Sequence, residues 1–230
     1  AGIYQVVYTF TNNYGCVNST GPVNITVQNQ SFTCGGDLTD PRDGKKYQTA
    51  NLGGRCWMTQ NLNFGGKLEP YYQPQLDNCV VEKYCAPSDP TCTQHGAFYQ
   101  WDEVMQYGIT SQQQGICPPG WHVPSDVDWQ QLIDNISVGM NPPADAIAAG
   151  FLKDPLLNPG FFTILKGIYY INSSWKFDSA PLTATMHWTS TLNAQHQALA
   201  RGINVYNPSV SRYWSKKGNA FTVRCIKDLF

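Results

Sequence analysis

The chain predicts an α+β fold, with two short helices, a mostly antiparallel sheet and a β-hairpin segment at the amino terminus. Three observations carry this. Trp129, Leu132, Ile133 and Ile136 fall at i, i+3, i+4 and i+7, the buried stripe of a helix. From Gly160 onward strand-like runs alternate with turns, so helices precede a meander of strands in the order of an α+β domain. The first 33 residues alternate with period two and differ in character from the rest. The chain's 230 residues suffice for a domain and a small appended segment, expected at 34–230 and 1–33.

In the amino-terminal segment Tyr4, Val6, Tyr8 and Phe10 share one strand face, Asn12–Gly15 makes a turn, and Val23, Ile25 and Val27 form the return strand. The words YQVVYTFTNNYGCVNSTGPVNITV resemble the last strands of immunoglobulin-like repeats in bacterial surface proteins. An isolated two-stranded hairpin is marginal in water. These strands are expected to dock on the domain, to belong to a larger sandwich, or to complete a neighbouring subunit by β-strand addition. In the last case Tyr4, Val6, Tyr8 and Phe10 form the assembly face and the product is a homo-polymer.

Next, Asp40–Gly44 is a turn, Tyr47 and Thr49 begin a strand, and Gly53-Gly54 turns it into Cys56-Trp57-Met58. Residues 66–95 have little periodicity, several prolines and three cysteines, which reads as a long disulfide-stapled loop of the kind that carries function. Phe98, Trp101, Val104 and Met105 at helical spacing predict a short helix over about 97–107. Ser125 with Asp128 three residues on is a short-armed capping box, which predicts the second helix at 125–136. A short helix or coil is expected over 144–152. Strand-like runs follow at 161–171, 175–177, 186–191, 198–206, 211–214 and 220–226.

Composition narrows the function. Charged residues make up only 13% and the net charge is −1, with no Lys/Arg group larger than the pair Lys216-Lys217, so nucleic-acid binding is not expected. The sequence has no apolar run long enough to span a membrane as a helix. Eight cysteines, at Cys16, Cys34, Cys56, Cys79, Cys85, Cys92, Cys117 and Cys225, lack zinc-knuckle spacing. They read as disulfide candidates of an extracellular or cell-surface protein, their pairing left open.

With these elements in place, DPRDGKKYQTANLGGRCWMTQNLNF, GAFYQWDEVM, GICPPGWHVPSDVDWQQLI, HWTST and FTVRCIKD, in this order, resemble the Fibrobacter succinogenes major paralogous domain over residues 37–228. That family occurs in secreted and surface proteins of bacteria, often behind immunoglobulin-like repeats. HVPSDVDWQQ and TVRCIKD are also distantly similar to the formylglycine-generating, sulfatase-modifying family, and this resemblance implies a C-type-lectin-like fold.

Each chemical reading of the residues turns on a motif. Thiol oxidation as in the sulfatase-modifying family needs a nearby cysteine pair, and Cys225 has none a few residues upstream, so a structural disulfide is expected. His95, His122, His187 and His196 are scattered, Glu69, Glu82 and Glu103 form no obvious acid/base pair, and no hydrolase motif occurs. No catalytic residue and no cofactor is assigned. Asp37, Asp40 and Asp43 are candidate calcium ligands, but their spacing is not that of an EF-hand loop, and turn chemistry is the expectation. Gln73-Pro74-Gln75 and Trp188-Thr189-Ser190 depart from the calcium-lectin motifs by losing their carboxylates. Sequons begin at Asn18, Asn24, Asn29, Asn135 and Asn172. Tyr71, Tyr72, Trp175, Tyr206, Tyr213 and Trp214 are the candidates for contact with a protein or carbohydrate ligand. The expected function is a non-enzymatic surface module for adhesion or ligand binding, with a self-assembling fibre subunit and an enzyme of unrecognised type as alternatives.

Overall fold

A computed structural model describes residues 2–6, 9–11, 17–19, 23–27, 32–69, 73–138, 148–153, 167–171, 174–178, 184–204 and 206–229. The chain divides into two compact units, Ala1–Thr33 and Cys34–Phe230. In the first, β1 (Gly2–Val6) pairs antiparallel with β4 (Val23–Val27), and β2 (Thr9–Thr11) with β3 (Val17–Ser19). Tyr4 stands opposite Ile25 and Phe10 opposite Asn18. Tyr8, the turn at 12–15 and Cys16 lie outside the described residues.

The second unit opens with β5 (Asp37–Thr39), β6 (Lys46–Leu52), β7 (Arg55–Met58), β8 (Gly66–Lys67), β9 (Glu82–Lys83) and β10 (Tyr99–Gln100). Next come α1 (Trp101–Val104), β11 (Trp121–His122), α2 (Asp126–Ile136) and α3 (Ala148–Lys153). It closes with β12 (Gly167–Ile171), β13 (Ser174–Asp178), β14 (Ala184–Leu192), β15 (Ala198–Asn204), β16 (Val210–Ser215), β17 (Ala220–Phe221) and β18 (Ile226–Lys227). The order is α+β and the sheets are mostly antiparallel. One sheet runs β11-β18-β7-β6-β5, a second β14-β15-β16 and a third β10-β17-β12-β13, while β8 and β9 pair in parallel.

Helix α2 starts where its cap predicts. The Ser125 hydroxyl accepts the Asp128 amide at 3.2 Å, and Asp128 Oδ2 accepts the Ser125 amide at 2.8 Å, satisfying donors at both ends of the first turn. Trp129, Leu132 and Ile133 face inward against Trp57, Ile203, Val210 and Ile226, and Ile136 packs half-buried at the rim. The Trp57 and Trp129 rings meet edge-on at 5.2 Å, and His187 stacks on Trp129 at 5.7 Å. Arg201, almost wholly buried in β15, reaches across to Asp126 at 2.7 Å, so the meander also clamps the first turn of α2 by charge.

Three expectations need correction. The helix expected at 97–107 is the single turn α1. Phe98, Trp101, Val104 and Met105 are all buried, but Phe98 bridges Tyr84 and Tyr99-Gln100 pair with β17, which holds the start extended. Gln106 and Tyr107 have positive φ, +47° and +58°, which closes the other end. The run 220–226 is not one strand. Between β17 and β18 the chain serves three neighbours: Thr222 O accepts Trp188 N–H, Val223 O accepts Leu62 N–H and Cys225 O accepts Met58 N–H. The span 144–152, expected as a short helix or coil, holds most of the described helix α3, so there are three described helices where two were expected.

Disulfides join Cys34–Cys56, Cys85–Cys92 and Cys117–Cys225, and Cys79 is also disulfide-bonded. Such bonding belongs to proteins matured in an oxidising compartment. Among the described residues no helix is long and apolar enough to cross a membrane.

Candidate functional site

An open cleft of about 330 Å³ lies between the start of β6, the chain that follows β7, and the loop closed by Cys85–Cys92. Lys45, Lys46, Gln60, Asn61, Asn63 and His95 are among its lining residues. Its walls are fixed by polar clamps. On the loop side Asp89 is buried, and its carboxylate accepts the backbone N–H groups of Thr93 at 3.1 Å and of Gln94 and His95 at 2.9 Å each. Burial works against its charge, but these donors and the adjacent His95 hold its pKa below the ordinary carboxylate value. The His95 ring Nδ1 stands 3.4 Å from Asp89 Oδ2, within ion-pair reach but without hydrogen-bond geometry.

On the floor Asn61 donates to His95 O at 2.7 Å and accepts from the buried Arg224 at 2.9 Å. Gly96 sits directly on Asn61 with φ +75°. A Cβ there would come within 2.4 Å of Asn61 Cβ, so glycine is required for loop and floor to touch. Asn63 donates its side-chain amide to Cys92 O at 2.8 Å and its backbone N–H to the Tyr47 hydroxyl at 3.1 Å. Asn63 Oδ1 is buried and accepts no hydrogen bond among the described residues. A buried acceptor left without a donor costs about 1–3 kcal/mol.

Cations gather at the end where β6 begins. Lys45 Nζ and Lys83 Nζ both donate to Asn63 O, at 2.8 and 3.3 Å. Lys45 also meets Asp43 at 2.6 Å. Burial, and then the neighbouring Lys45 charge, press the Lys83 pKa down to about 8. An amine depressed in this way is a nucleophile near neutral pH, but Lys83 is itself buried behind the Asn63 carbonyl.

Two further polar groups are structural in geometry. His122 Nδ1 pairs with Asp228 at 2.6 Å, and its Nε2 stands 3.7 Å from Asp128, too far for a hydrogen bond. Asp128 also accepts the Ser125 hydroxyl at 2.6 Å and lies 3.6 Å from Arg55. Ser125 therefore donates to the carboxylate that also caps α2. Burial opposes the His122 charge, but the two carboxylates raise its pKa above the ordinary value. Glu103, buried in α1, accepts Glu82 N–H at 3.0 Å and the Tyr107 hydroxyl at 2.8 Å. Burial raises its pKa to about 7.

The aromatic residues predicted from sequence do not gather at the cleft. Tyr206 is 83% exposed in the β15–β16 connection, and Tyr213 and Trp214 are 47% and 42% exposed on β16, at one end of its sheet's strand order. Trp175 lies on β13 opposite Tyr170. Tyr71 and Tyr72 lie outside the described residues. Tyr4 and Val6 are on β1 and Phe10 on β2. The candidate calcium aspartates have other work: Asp40 is buried and paired to Arg42 at 2.7 Å, and Asp43 is paired to Lys45. Cys225 is bonded to Cys117. No cleft residue is among the ligand-contact candidates predicted from sequence, where His95, Tyr47 and Cys92 have other roles. For Gln60, Asn61 and Asn63 the sequence signal is the pair of asparagines in TQNLNF following a buried strand.

No curated protein and no solved structure matches the chain significantly. The family model of the Fibrobacter succinogenes major domain matches residues 50–227, a span that runs from β6 through α2 to β18 and takes in the floor and loop of the cleft. The sequence words and this match agree, and the chain belongs to the Fibrobacter succinogenes major domain family.

Proposed function

We propose that this chain is an extracellular, non-enzymatic adhesion or binding module that takes a polar ligand in the cleft beside the Cys85–Cys92 loop. The observation that carries the reading is the preformed cleft whose walls are held by the Asp89, Asn61 and Asn63 clamps. A site whose side chains are already ordered spends little of its binding energy on ordering. The exposed carboxamides of Gln60 and Gln94 on the lining offer donors and acceptors of the kind that read hydroxyl-bearing ligands. The clustered disulfides favour display outside the cell. The reading includes a C-type-lectin-like fold, supported by the order of short helices followed by a meander and by the Cys117–Cys225 staple across it.

The test is a glycan and extracellular-protein array with the purified chain, repeated with Gln94→Trp. Gln94 is exposed on the cleft lining, so an indole there obstructs the opening without disturbing the core. Binding weakened at least tenfold with an unchanged melting temperature is the expected result. Full affinity in the obstructed variant would sink the reading.

A second reading, assembly into an extracellular fibre, has one observation in its favour. The described strands of the first unit form two two-stranded sheets, β1-β4 and β2-β3, a size that is marginal alone. Strand addition from a second copy would enlarge them. Electron microscopy of the concentrated chain is expected to show elongated polymers under this reading, and a monodisperse monomer by light scattering would reject it.

A further inference from the structure

The charges around the cleft are not balanced. Lys45, Lys46 and Lys83 stand at or behind one end, and Arg224 lies under the floor with its Nε on Asn61 Oδ1. Asp43 and Asp89 oppose them, the first salt-bridged to Lys45 and the second engaged by backbone N–H groups. Asp40 is matched by Arg42. Two lysine ammoniums share the single acceptor Asn63 O, an arrangement that places like charges together without a second carboxylate between them. Burial lowers the Lys83 pKa most, and the neighbouring Lys45 charge lowers it further. Lys46 is exposed on the lining, and its ammonium meets no carboxylate among the described residues.

We propose that the ligand of this cleft is an acidic saccharide, a carboxylated or sulfated glycan, with its anionic group at the Lys45–Lys46 end and its hydroxyls on the exposed carboxamides of Gln60 and Gln94. This rests on the binding reading above and names its ligand class. A saccharide fits better than an acidic peptide because the lining presents the exposed side-chain amides of Gln60 and Gln94, which can both donate to and accept from hydroxyl groups. An extended peptide would instead use an open strand edge, and no strand edge is among the features that line this cleft. The cations contribute through a partly screened field, so the interaction weakens with salt.

The experiment measures binding of the intact chain to heparin, polygalacturonate, neutral dextran and poly-glutamate by calorimetry at low and physiological salt. An acidic polysaccharide is expected to bind, with dextran and poly-glutamate at least tenfold weaker. Lys46→Glu is expected to lower that affinity about tenfold, a rim-charge reversal at short range. Lys216→Glu, on an exposed residue outside the lining, is expected to leave it within twofold. Lys46 is exposed, so its variant retains the fold; Lys45→Met, which also cuts the bond to Asn63 O, serves as the second variant. Equal binding of dextran overturns the acidic assignment and leaves the cleft reading standing. Preferred binding of poly-glutamate overturns the saccharide. Equal losses from Lys46→Glu and Lys216→Glu mean diffuse charge attraction and overturn the site. No binding of any saccharide or peptide, together with an empty array, removes both readings.

Discussion

Around α2 the domain is held by rings and branched side chains: Trp57 against Trp129, with Leu132, Ile133, Ile203 and Val210 closing round them. At the cleft, the carboxylate of Asp89 and the carboxamides of Asn61 and Asn63 perform the same office by gripping backbone groups. Apolar packing is non-directional and tolerates sliding, whereas each polar clamp fixes one angle and one distance. The first construction makes a stable wall. The second fixes its donors and acceptors on backbone groups of neighbouring segments, at some cost in stability.

The largest expected effect tests the apolar side. Trp129→Ala removes a fully buried ring that touches both Trp57 and His187, and large-to-small changes of this kind cost about 3–5 kcal/mol. Urea denaturation is the measurement. If the folded fraction still binds in the cleft with native affinity, the two constructions are separable; if binding disappears from molecules that are still folded, they are not.

Asp89→Asn strikes the polar side. Asparagine retains one acceptor oxygen where the carboxylate served three backbone N–H groups, a loss of about 1–3 kcal/mol. Hydrogen exchange at Thr93–His95 is expected to quicken while amides of α2 keep their protection. Because the folded pKa of Asp89 lies below its ordinary value of 3.8, its contribution is present above that pH and fades as pH falls through the folded value. Uniform acceleration across both regions would show that the loop is not a local unit.

Two buried carboxylates separate the regions by pH. Glu103 has its pKa raised from 4.5 to about 7, so the stability of its protonated form is complete below 4.5 and is lost as pH rises through 7. Glu103→Gln, neutral at every pH, is expected to be more stable than the parent above pH 7 by roughly 1–2 kcal/mol, the fraction of that shift surviving solvent relaxation. Asp128 behaves oppositely. Burial opposes its charge, but His122, Ser125 and Gln112 hold its pKa well down, so its contribution stands above 3.8 and is lost at lower pH. Asp128→Asn should therefore flatten the acid limb of a melting-temperature profile; because Asp128 is one of the two carboxylates that raise the His122 pKa, the variant should also shrink the His122 share of the alkaline limb and leave that of Glu103. Acid limbs that coincide in parent and variant would remove Asp128 from the account.

What could be read from sequence follows the same division. Helix α2 was legible because its cap and its stripe are local: Ser125, Asp128 and the apolar residues that follow lie within three turns. The cleft was not, because its clamps join distant positions. Asn61 meets Arg224 across 163 residues and His95 across 34, and no spacing rule encodes those meetings. Periodicity also misled at 97–107. A buried stripe arises there from a bridge, a strand and one helical turn in succession, since burial of side chains fixes which residues go inside but not the backbone between them.

The smallest expected effect on stability decides where binding occurs. Tyr213 and Trp214 are both substantially exposed on β16, and the double change Tyr213→Ser with Trp214→Ser leaves the core intact, so it should alter stability by no more than about 0.5 kcal/mol. Exposed aromatics stack on sugars and proteins alike, so this edge is the direct competitor of the cleft for the ligand. In the cleft reading the double variant binds as the parent does and Gln94→Trp does not. The reverse pattern would move the site to the exposed edge of the meander, and the polar clamps would then be no more than the way this domain closes a disulfide loop poor in apolar side chains.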